Sequence, residues 1–189
     1  MKELSLHLLD VAKNSVAAGA TWVDISLDED KDGRLTIVIS DNGRGMSPEF
    51  LAQVTDPFTT TRTTRKVGLG VPLFKMAAEQ TGGSFSIESE PGKGTTVTAV
   101  FKPSHIDMTP LGDINSTVGL LIYSNPDRDF IFRRERDGRS FALDTRELRE
   151  ILGEEVKLSA PEVSEWIQGY LKEQTDMIFG GAQEDENIS

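Results

Sequence analysis

The feature that most constrains this fold is an alternating apolar run that ends in an acid and two glycines. In LTIVIS, residues 35–40, the side chains of Leu35, Ile37 and Ile39 fall on one face of a predicted strand, and DNGRGM follows directly as residues 41–46. Asp, Asn and Gly are frequent in tight turns, so a surface turn is the simplest interpretation of the hexapeptide. The remaining motifs of the chain decide between a turn and a binding loop.

The composition predicts an acidic globular protein. Of 189 residues, 37% are hydrophobic and 27% are charged, and the formal net charge is −11. A negative field opposes phosphate contacts, so we expect no binding to nucleic acid. The absence of cysteine excludes disulfides and thiolate metal sites. No segment approaches the ~20 apolar residues of a membrane helix, and Glu3 and Asp10 interrupt the apolar start of the chain. We therefore expect a cytoplasmic protein that does not associate with membranes.

The first hundred residues alternate between helical and strand patterns. A helix is predicted over residues 3–18 and two strands after it, because apolar residues recur first every three to four positions and then every second position. Ser47 and Pro48 suit the N-cap and first position of a short second helix. Pro72 and Gly82 suit the beginning and the end of a third helix, which two more strands follow. We expect an α+β fold, a two-layer α/β sandwich whose helices cover a mainly antiparallel sheet.

Beyond Pro103 a second set of elements is predicted. GLLIY at residues 119–123 and DFIFRRE are predicted to be strands, and RSFALD completes a hairpin through the two-residue turn of Asp137 and Gly138. The second half of the chain therefore also combines strands with helices.

Two further helices are predicted in this second half. Asp144 and Glu147 have the spacing of a capping box at a helix start, and a last helix begins near Pro161. Its apolar stripe, expected to pack on the rest of the protein, contains Val163, Trp166, Ile167, Tyr170 and Leu171. The predicted units are a domain of residues 1–103, a small α+β C-terminal extension of residues 104–182, and an acidic disordered tail of residues 183–189.

Four motifs follow one another along the first half of the chain. They are DVAKN at residues 10–14, DNGRGM at 41–46, GLG at 68–70 and GKGT at 92–95. Each is weak alone, but in this order they resemble the GHKL ATPase superfamily, which includes DNA gyrase B, ninety-kilodalton heat-shock chaperones, sensor histidine kinases and mismatch-repair MutL. The resemblance covers residues 3–102 and implies the Bergerat ATP-binding fold.

The resemblance assigns the adenine base to the first glycine motif. It implies that Asp41 accepts a hydrogen bond from the adenine amine, and that Gly43 and Gly45 let the backbone approach the nucleotide without a Cβ in the way. Met46 is implied to belong to the same binding loop. Thr95 is implied to lie beside Asp41 and to assist through its hydroxyl or a bridging water. On this interpretation the acid ends the strand because it binds adenine there.

The same resemblance assigns Mg²⁺ and the triphosphate to the first helix and to a lid of residues 56–67. Asn14 is implied to hold Mg²⁺, for which an amide oxygen is a suitable ligand, and Lys13 adjoins it. Asp10 stands where related ATPases carry a water-activating Glu, so it is the candidate catalytic base with a side chain one methylene shorter. Basic side chains and helix-terminal amides suit the phosphates. The expected contacts are Arg62, Arg65, Lys66, Val67, Gly68, Leu69 and Gly70.

Neither histidine is expected to accept a phosphoryl group. His7 lies inside the predicted nucleotide helix, which favours a structural role, and His105 lies in the linker after the first domain with no neighbour in sequence that would activate it. Only nine residues precede Asp10, so we expect no phosphoacceptor helix before the ATP site in this chain.

Two functions from different classes remain open at this stage. The first is a slow ATPase or protein kinase that acts on a protein partner in signalling, and the second is an ATP-dependent binding module with little or no turnover. A degenerate fold that has lost its nucleotide is a third alternative. Small proteins with similar motifs suggest a partner in a bacterial redox or hydrogenase system, although no residue identifies it. An oligomer is compatible with the sequence.

Overall fold

One six-stranded sheet runs through residues 3–55 and 70–188, the part of the chain that the computed structural model describes. The spatial order of the strands is β3-β4-β2-β1-β5-β6. The pair β1–β5 is parallel, and the other four neighbouring pairs are antiparallel. The strands are β1 (Trp22–Glu29), β2 (Leu35–Asp41), β3 (Ser84–Glu90), β4 (Gly94–Phe101), β5 (Asp129–Arg136) and β6 (Arg139–Asp144). The expected α+β class and mainly antiparallel sheet are therefore confirmed.

The helices of the described chain pack on the buried face of this sheet. They are α1 (Leu4–Ala17), α2 (Pro48–Val54), α3 (Gly70–Gln80), α4 (Ile114–Ser124), α5 (Thr145–Leu152) and α6 (Pro161–Ile188). Alternate strand residues form the core beneath them, including Ile25, Ile37, Val97 and Phe132. The helix α1 lies centrally, because it contacts α3, α4 and the strands β1 and β2. This position brings α1 into contact with the DNGRGM motif and with Gly70, the last residue of the GLG motif.

Most of the predicted elements are present, and their local chemistry explains their limits. Ser47 caps α2, where its Oγ accepts from the Phe50 amide at 3.2 Å, and Pro48 occupies the first helical position. The hairpin β5–β6 turns through Asp137 and Gly138, whose φ angles of 48° and 81° are those of a type I′ turn.

The prediction of a strand at residues 119–123 is wrong, because this segment lies in α4. Asp113 caps that helix, with Oδ1 accepting from the Ser116 amide at 3.0 Å. Its buried residues form one broad face, opposite Leu120 and Tyr123, which are 48% and 52% exposed. The buried residues are Ile114, Thr117, Val118, Gly119, Leu121 and Ile122. A short, almost wholly apolar segment such as GLLIY carries no clear periodicity, so its sequence does not distinguish a helix from a strand.

The long helix α6 departs from the sequence expectations at two places. Its backbone is helical as far as Ile188, whereas a disordered tail is predicted from residue 183; Gln, Ala and Glu are good helix formers, and the helix continues through them. Trp166 was expected in the packed stripe but is 51% exposed, stacked on Tyr170. Val163, Ile167 and Leu171 of that stripe are buried, as expected. In the described chain no helix combines the length and apolarity that crossing a membrane requires.

The C-terminal extension shares the sheet and the core of the first hundred residues. Its strand β5 pairs with β1 along eight residues, Trp22 with Asp129 through Glu29 with Arg136. The linker also contacts α1, since the amides of Leu4 and Ser5 donate to the carbonyls of Pro110 and Leu111 at 2.8 and 2.9 Å. These bonds satisfy two of the free amides at the helix N-terminus.

Candidate functional site

A buried carboxylate marks the end of β2. Asp41 is 8% exposed, and both its oxygens accept hydrogen bonds from the protein. Ser15 of α1 donates its hydroxyl to Oδ2 at 2.6 Å, and the Gly43 amide donates to Oδ1 at 2.8 Å. The carboxylate is thus fixed from a helix on one side and from its own loop on the other. A charge-assisted bond of 2.6 Å is among the shorter and stronger kinds.

The glycines of the two flanking motifs are required by close backbone contacts. A Cβ on Gly45 would lie 2.0 Å from the Glu90 carbonyl oxygen, and a Cβ on Gly94 would lie 1.9 Å from the Asp41 carbonyl oxygen. Both have positive φ angles, +71° and +122°. A Cβ on Gly43 would approach Ala18 Cβ to 2.9 Å. The loop after β2, the turn before β4 and the end of α1 therefore pack without intervening side chains.

Thr95 lies opposite Asp41 on the neighbouring strand, as the sequence resemblance implies. The two are Cα partners in the β2–β4 ladder, so their side chains share a face of the sheet. The Thr95 hydroxyl pairs with Ser89 of β3 at 2.8 Å. Ser89 also accepts from the Met46 amide at 2.8 Å and donates to the Gly94 carbonyl at 3.0 Å. Ser89 thus connects both glycine motifs, a role that its sequence position did not reveal.

The loop of DNGRGM is anchored to the turn between α1 and β1. The Asn42 side chain accepts from the amides of Thr21 and Trp22 at 2.9 and 3.1 Å and donates to the Thr21 hydroxyl at 2.8 Å. Arg44 donates to the Ala17 carbonyl at 2.7 Å, at the C-terminal end of α1. These contacts fix the loop at its base.

A second group of polar side chains follows one stripe of α1 toward α3. The Nδ1 atom of His7 and the Nδ2 atom of Asn14 are buried without a hydrogen-bond partner within residues 3–55 and 70–188. A Cβ on Gly70, the first residue of α3, would lie 2.9 Å from the Asp10 Cβ. The spacing of three and four residues places His7, Asp10 and Asn14 on one side of the helix. Asp10 thus adjoins the start of α3, and Asn14 lies one turn after it on the same side of α1, with an Nδ2 that has no partner in the described chain.

His7 is buried beside an aromatic ring in the same interhelical layer. It is 2% exposed and stacks on Phe74 of α3, with ring centroids 6.1 Å apart. Burial lowers the pKa of His7, and the smaller effect of Asp10 raises it. A neutral imidazole is therefore favoured, consistent with the structural role expected for this residue.

The comparisons with known proteins match the part of the chain that forms this site. Residues 2–105 match the family described as histidine kinase-, DNA gyrase B-, and HSP90-like ATPase. The chain belongs to this ATPase family. The match spans more than half of the 189 residues and includes α1, the loop after β2 and the β3–β4 turn. The superfamily assignment made from the four motifs is confirmed, and residues 2–105 form an ATP-binding domain of the GHKL type.

Individual relatives agree with this assignment. Sensor protein SrrB of Staphylococcus aureus strain NCTC 8325 / PS 47 is 39% identical over 101 residues, which are 51% of this chain and 17% of that protein. The SrrB proteins of strains COL and MRSA252 match equally. This chain therefore spans less than a fifth of the length of these curated relatives. A crystal structure of the N-terminal domain of a DNA repair protein has a TM-score of 0.53 and 16% identity, covering 75% of this chain and 52% of that one, and it shows the fold alone.

The structure describes two of the expected phosphate-side residues. Lys13 is exposed on α1, and Gly70 begins α3 beside Asp10. The lid of residues 56–67 lies outside the described residues, as do six of the expected phosphate contacts: Arg62, Arg65, Lys66, Val67, Gly68 and Leu69. Their roles in this ATPase family member stay predictions.

Proposed function

We propose that the chain binds Mg-ATP along α1, with the adenine at Asp41 and the phosphates near Asp10 and Asn14. The observation that supports this most directly is the path of α1 past the DNGRGM motif and the last glycine of GLG. Asp10 lies beside Gly70 at one end of this path. At the other end Ser15 contacts Asp41, and Ala18 lies close to Gly43. From Asp10 to Ala18 the helix rises about 12 Å. One elongated ligand can therefore engage the base-binding and the phosphate-binding motifs together.

The residues near Asp10 and Asn14 fit a magnesium ion that is bound chiefly by phosphate. Within the described chain no cluster of three or more His, Cys, Asp or Glu side chains could hold a metal alone. Mg²⁺ commonly uses one or two protein oxygens together with nucleotide phosphates and water. The Asn14 Nδ2 is buried without a partner in the described chain, so it can donate to a phosphate oxygen, while its Oδ1 is the atom that suits Mg²⁺. Bound Mg²⁺ would neutralise part of the negative charge of the phosphates.

Asp10 decides between the two classes of function. It lies one turn before Asn14 on the same side of α1, so its carboxylate is directed toward the metal side of the site. A carboxylate there can accept a proton from an attacking water or hydroxyl. Its side chain is shorter than that of Glu, and a displacement of about 1 Å can cost on the order of a hundredfold in rate. We propose slow hydrolysis or phosphoryl transfer that a protein partner accelerates.

The partner is proposed to be a protein of a signalling pathway. SrrB is named a sensor protein, and the similarity to it lies within the ATP-binding domain, which supports a regulatory role for this chain as well. The alternative is a binding module in which Mg-ATP changes the affinity for a partner without turnover. The short side chain of Asp10 disfavours fast hydrolysis, and for the same reason it favours a binding module with little turnover.

Ligand-dependent thermal melting tests the binding proposal. At a hundredfold excess over its dissociation constant, Mg-ATP should add about 2.7 kcal/mol to the free energy of unfolding. Asp41→Ala should remove this stabilisation, and Glu49→Ala, an exposed substitution on α2, should leave it intact. If neither ATP nor ADP raises the melting temperature of the parent protein, the proposal is wrong.

A further inference from the structure

Ser15 makes a contact that its position in a helix does not explain. A helical serine commonly bonds the carbonyl four residues before it or faces solvent. Ser15 is 4% exposed, and its hydroxyl instead donates to Asp41, 26 residues away. The proton of that hydroxyl is therefore committed to the carboxylate oxygen Oδ2.

The two donors on Asp41 differ in what they fix. The Gly43 amide belongs to the same loop as Asp41 and holds Oδ1 at 2.8 Å, so it moves together with the acid. Ser15 belongs to α1 and holds Oδ2 at 2.6 Å from outside the loop. Removal of the Ser15 hydroxyl would leave Oδ2 without a protein donor in the described chain, and the carboxylate could rotate about its Cβ–Cγ bond.

We infer that Ser15 is a positioning residue that makes the site selective for a base with an exocyclic amine. This inference rests on the proposed function. With both oxygens held by donors, Asp41 presents its remaining lone pairs in one fixed direction, and these can only accept hydrogen bonds. An amine at position 6 of a purine donates to them, whereas a carbonyl at the same position repels them. The loss of orientation should therefore weaken amine recognition without changing the phosphate contacts.

Asn14, the residue before Ser15, connects the base-binding end of the proposed site to its metal-binding end. Ser15 follows Asn14, whose buried amide lies on the neighbouring side of α1. One turn of one rigid helix thus holds the acid that binds the base and the amide proposed for the metal. The register of Ser15 against Asp41 sets the distance between the two ends of the ligand.

The experiment compares Mg-ATP with Mg-ITP, in which a carbonyl replaces the amine, by calorimetric titration of the full chain. Ser15→Ala should lower the affinity for ATP by about tenfold, the loss expected for one bond to a charged group, and should leave the affinity for ITP within about twofold. Ser15→Thr, which keeps the hydroxyl, should restore the preference for ATP. Ser5→Ala is the matched control, because Ser5 is buried on the same helix and donates to Glu3 instead.

The outcomes separate this inference from the proposed function. If the parent binds neither nucleotide, the proposed function fails, and the inference fails with it. If the parent prefers ATP and Ser15→Ala keeps the same ATP-to-ITP ratio, Ser15 does not position the base. A parallel loss of ATP and ITP affinity would assign Ser15 a general structural role and would likewise overturn the inference. Should Ser15→Thr be too bulky to fold, the unchanged ratio in Ser5→Ala together with the collapsed ratio in Ser15→Ala decides the matter.

Discussion

The two ends of the proposed nucleotide site differ in how completely the protein satisfies its own polar groups. At the adenine end, each Asp41 oxygen accepts a hydrogen bond, and the Thr95 hydroxyl is hydrogen-bonded to the Ser89 hydroxyl. At the phosphate end, His7 and Asn14 each keep a buried nitrogen without a partner in the described chain. A finished network holds its geometry before a ligand arrives, whereas unpaired buried groups cost free energy until one does. The base end of the proposed site is therefore preorganised, whereas the proposed phosphate end keeps unpaired polar groups within the described chain.

The largest expected effect separates the glycines of the two ends. Gly94→Ala at the adenine end should destabilise the fold by about 3 kcal/mol or more, because positive φ and a backbone clash combine there. Gly70→Ala should cost less, since its nearest neighbour is the Asp10 side chain and its φ is not in the left-handed region. Chemical denaturation of both variants measures the difference. Equal destabilisation would contradict the contrast between a rigid and an adaptable end.

The next effect concerns turnover rather than stability. Asp10→Asn should abolish ATP hydrolysis and keep ATP binding, because the amide preserves the shape and loses the basicity. Asp10→Glu should raise the rate, since the longer side chain approaches the attacking water more closely. Phosphate release and nucleotide titration on the same samples give both quantities. A parent and an Asp10→Asn variant that hydrolyse ATP equally fast would remove Asp10 from the chemistry.

A smaller effect tests whether Asn14, whose Nδ2 has no partner in the described chain, binds the ligand. Asn14→Leu should leave the unliganded protein within about 1 kcal/mol of the parent, because it replaces an unsatisfied buried polar group with an apolar one of similar size. It should also remove the magnesium dependence of ATP binding. Thermal melts with ATP in the presence and absence of Mg²⁺ provide the measurement. A strong loss of unliganded stability would show that Asn14 already serves the fold.

The smallest effect is the response of His7 to acid. Its pKa is lowered in the folded state, mainly by burial, so below pH 6.5 the unfolded chain takes up the proton first. Stability is fully present above pH 6.5 and should fall as the pH drops from there toward the folded pKa, by less than about 1.4 kcal/mol per pH unit. His7→Phe should flatten this dependence between pH 7 and 5. His105→Gln, an exposed substitution at the other histidine, is the control for replacing a histidine in general.

The difference between the two ends also explains what the sequence could predict. Asp41, Gly45 and Gly94 belong to contiguous motifs whose residue types are tied to a backbone conformation, and the structure gives each a reason for its identity. Ser15 and Ser89 act through contacts between elements that are distant in sequence. A serine in a helix or strand carries no local signal of such a partner, so neither was found.

The fold shows the same limit. Periodicity predicts the strands β1 to β4 because each alternates over a half-buried surface. It fails at residues 119–123, because five consecutive apolar or small residues carry no polar position that would distinguish a helix from a strand. The composition break near Pro103 marks a change in local pattern. It carries no information on the parallel pairing of β5 with β1, because that pairing joins segments far apart in the chain.

The backbone bonds from the start of α1 to the linker have a consequence for modularity. The carbonyls of Pro110 and Leu111 hold the first amides of the helix that carries Asp10, Asn14 and Ser15. A transplant of residues 1–103 into a chimera would therefore expose those amides and the flank of β1 at the same time. The transferable cassette is the longer piece that retains the linker, α4 and the β5–β6 hairpin, and domain-swapping experiments in this family should take their junctions from the sheet rather than from the end of the sequence match.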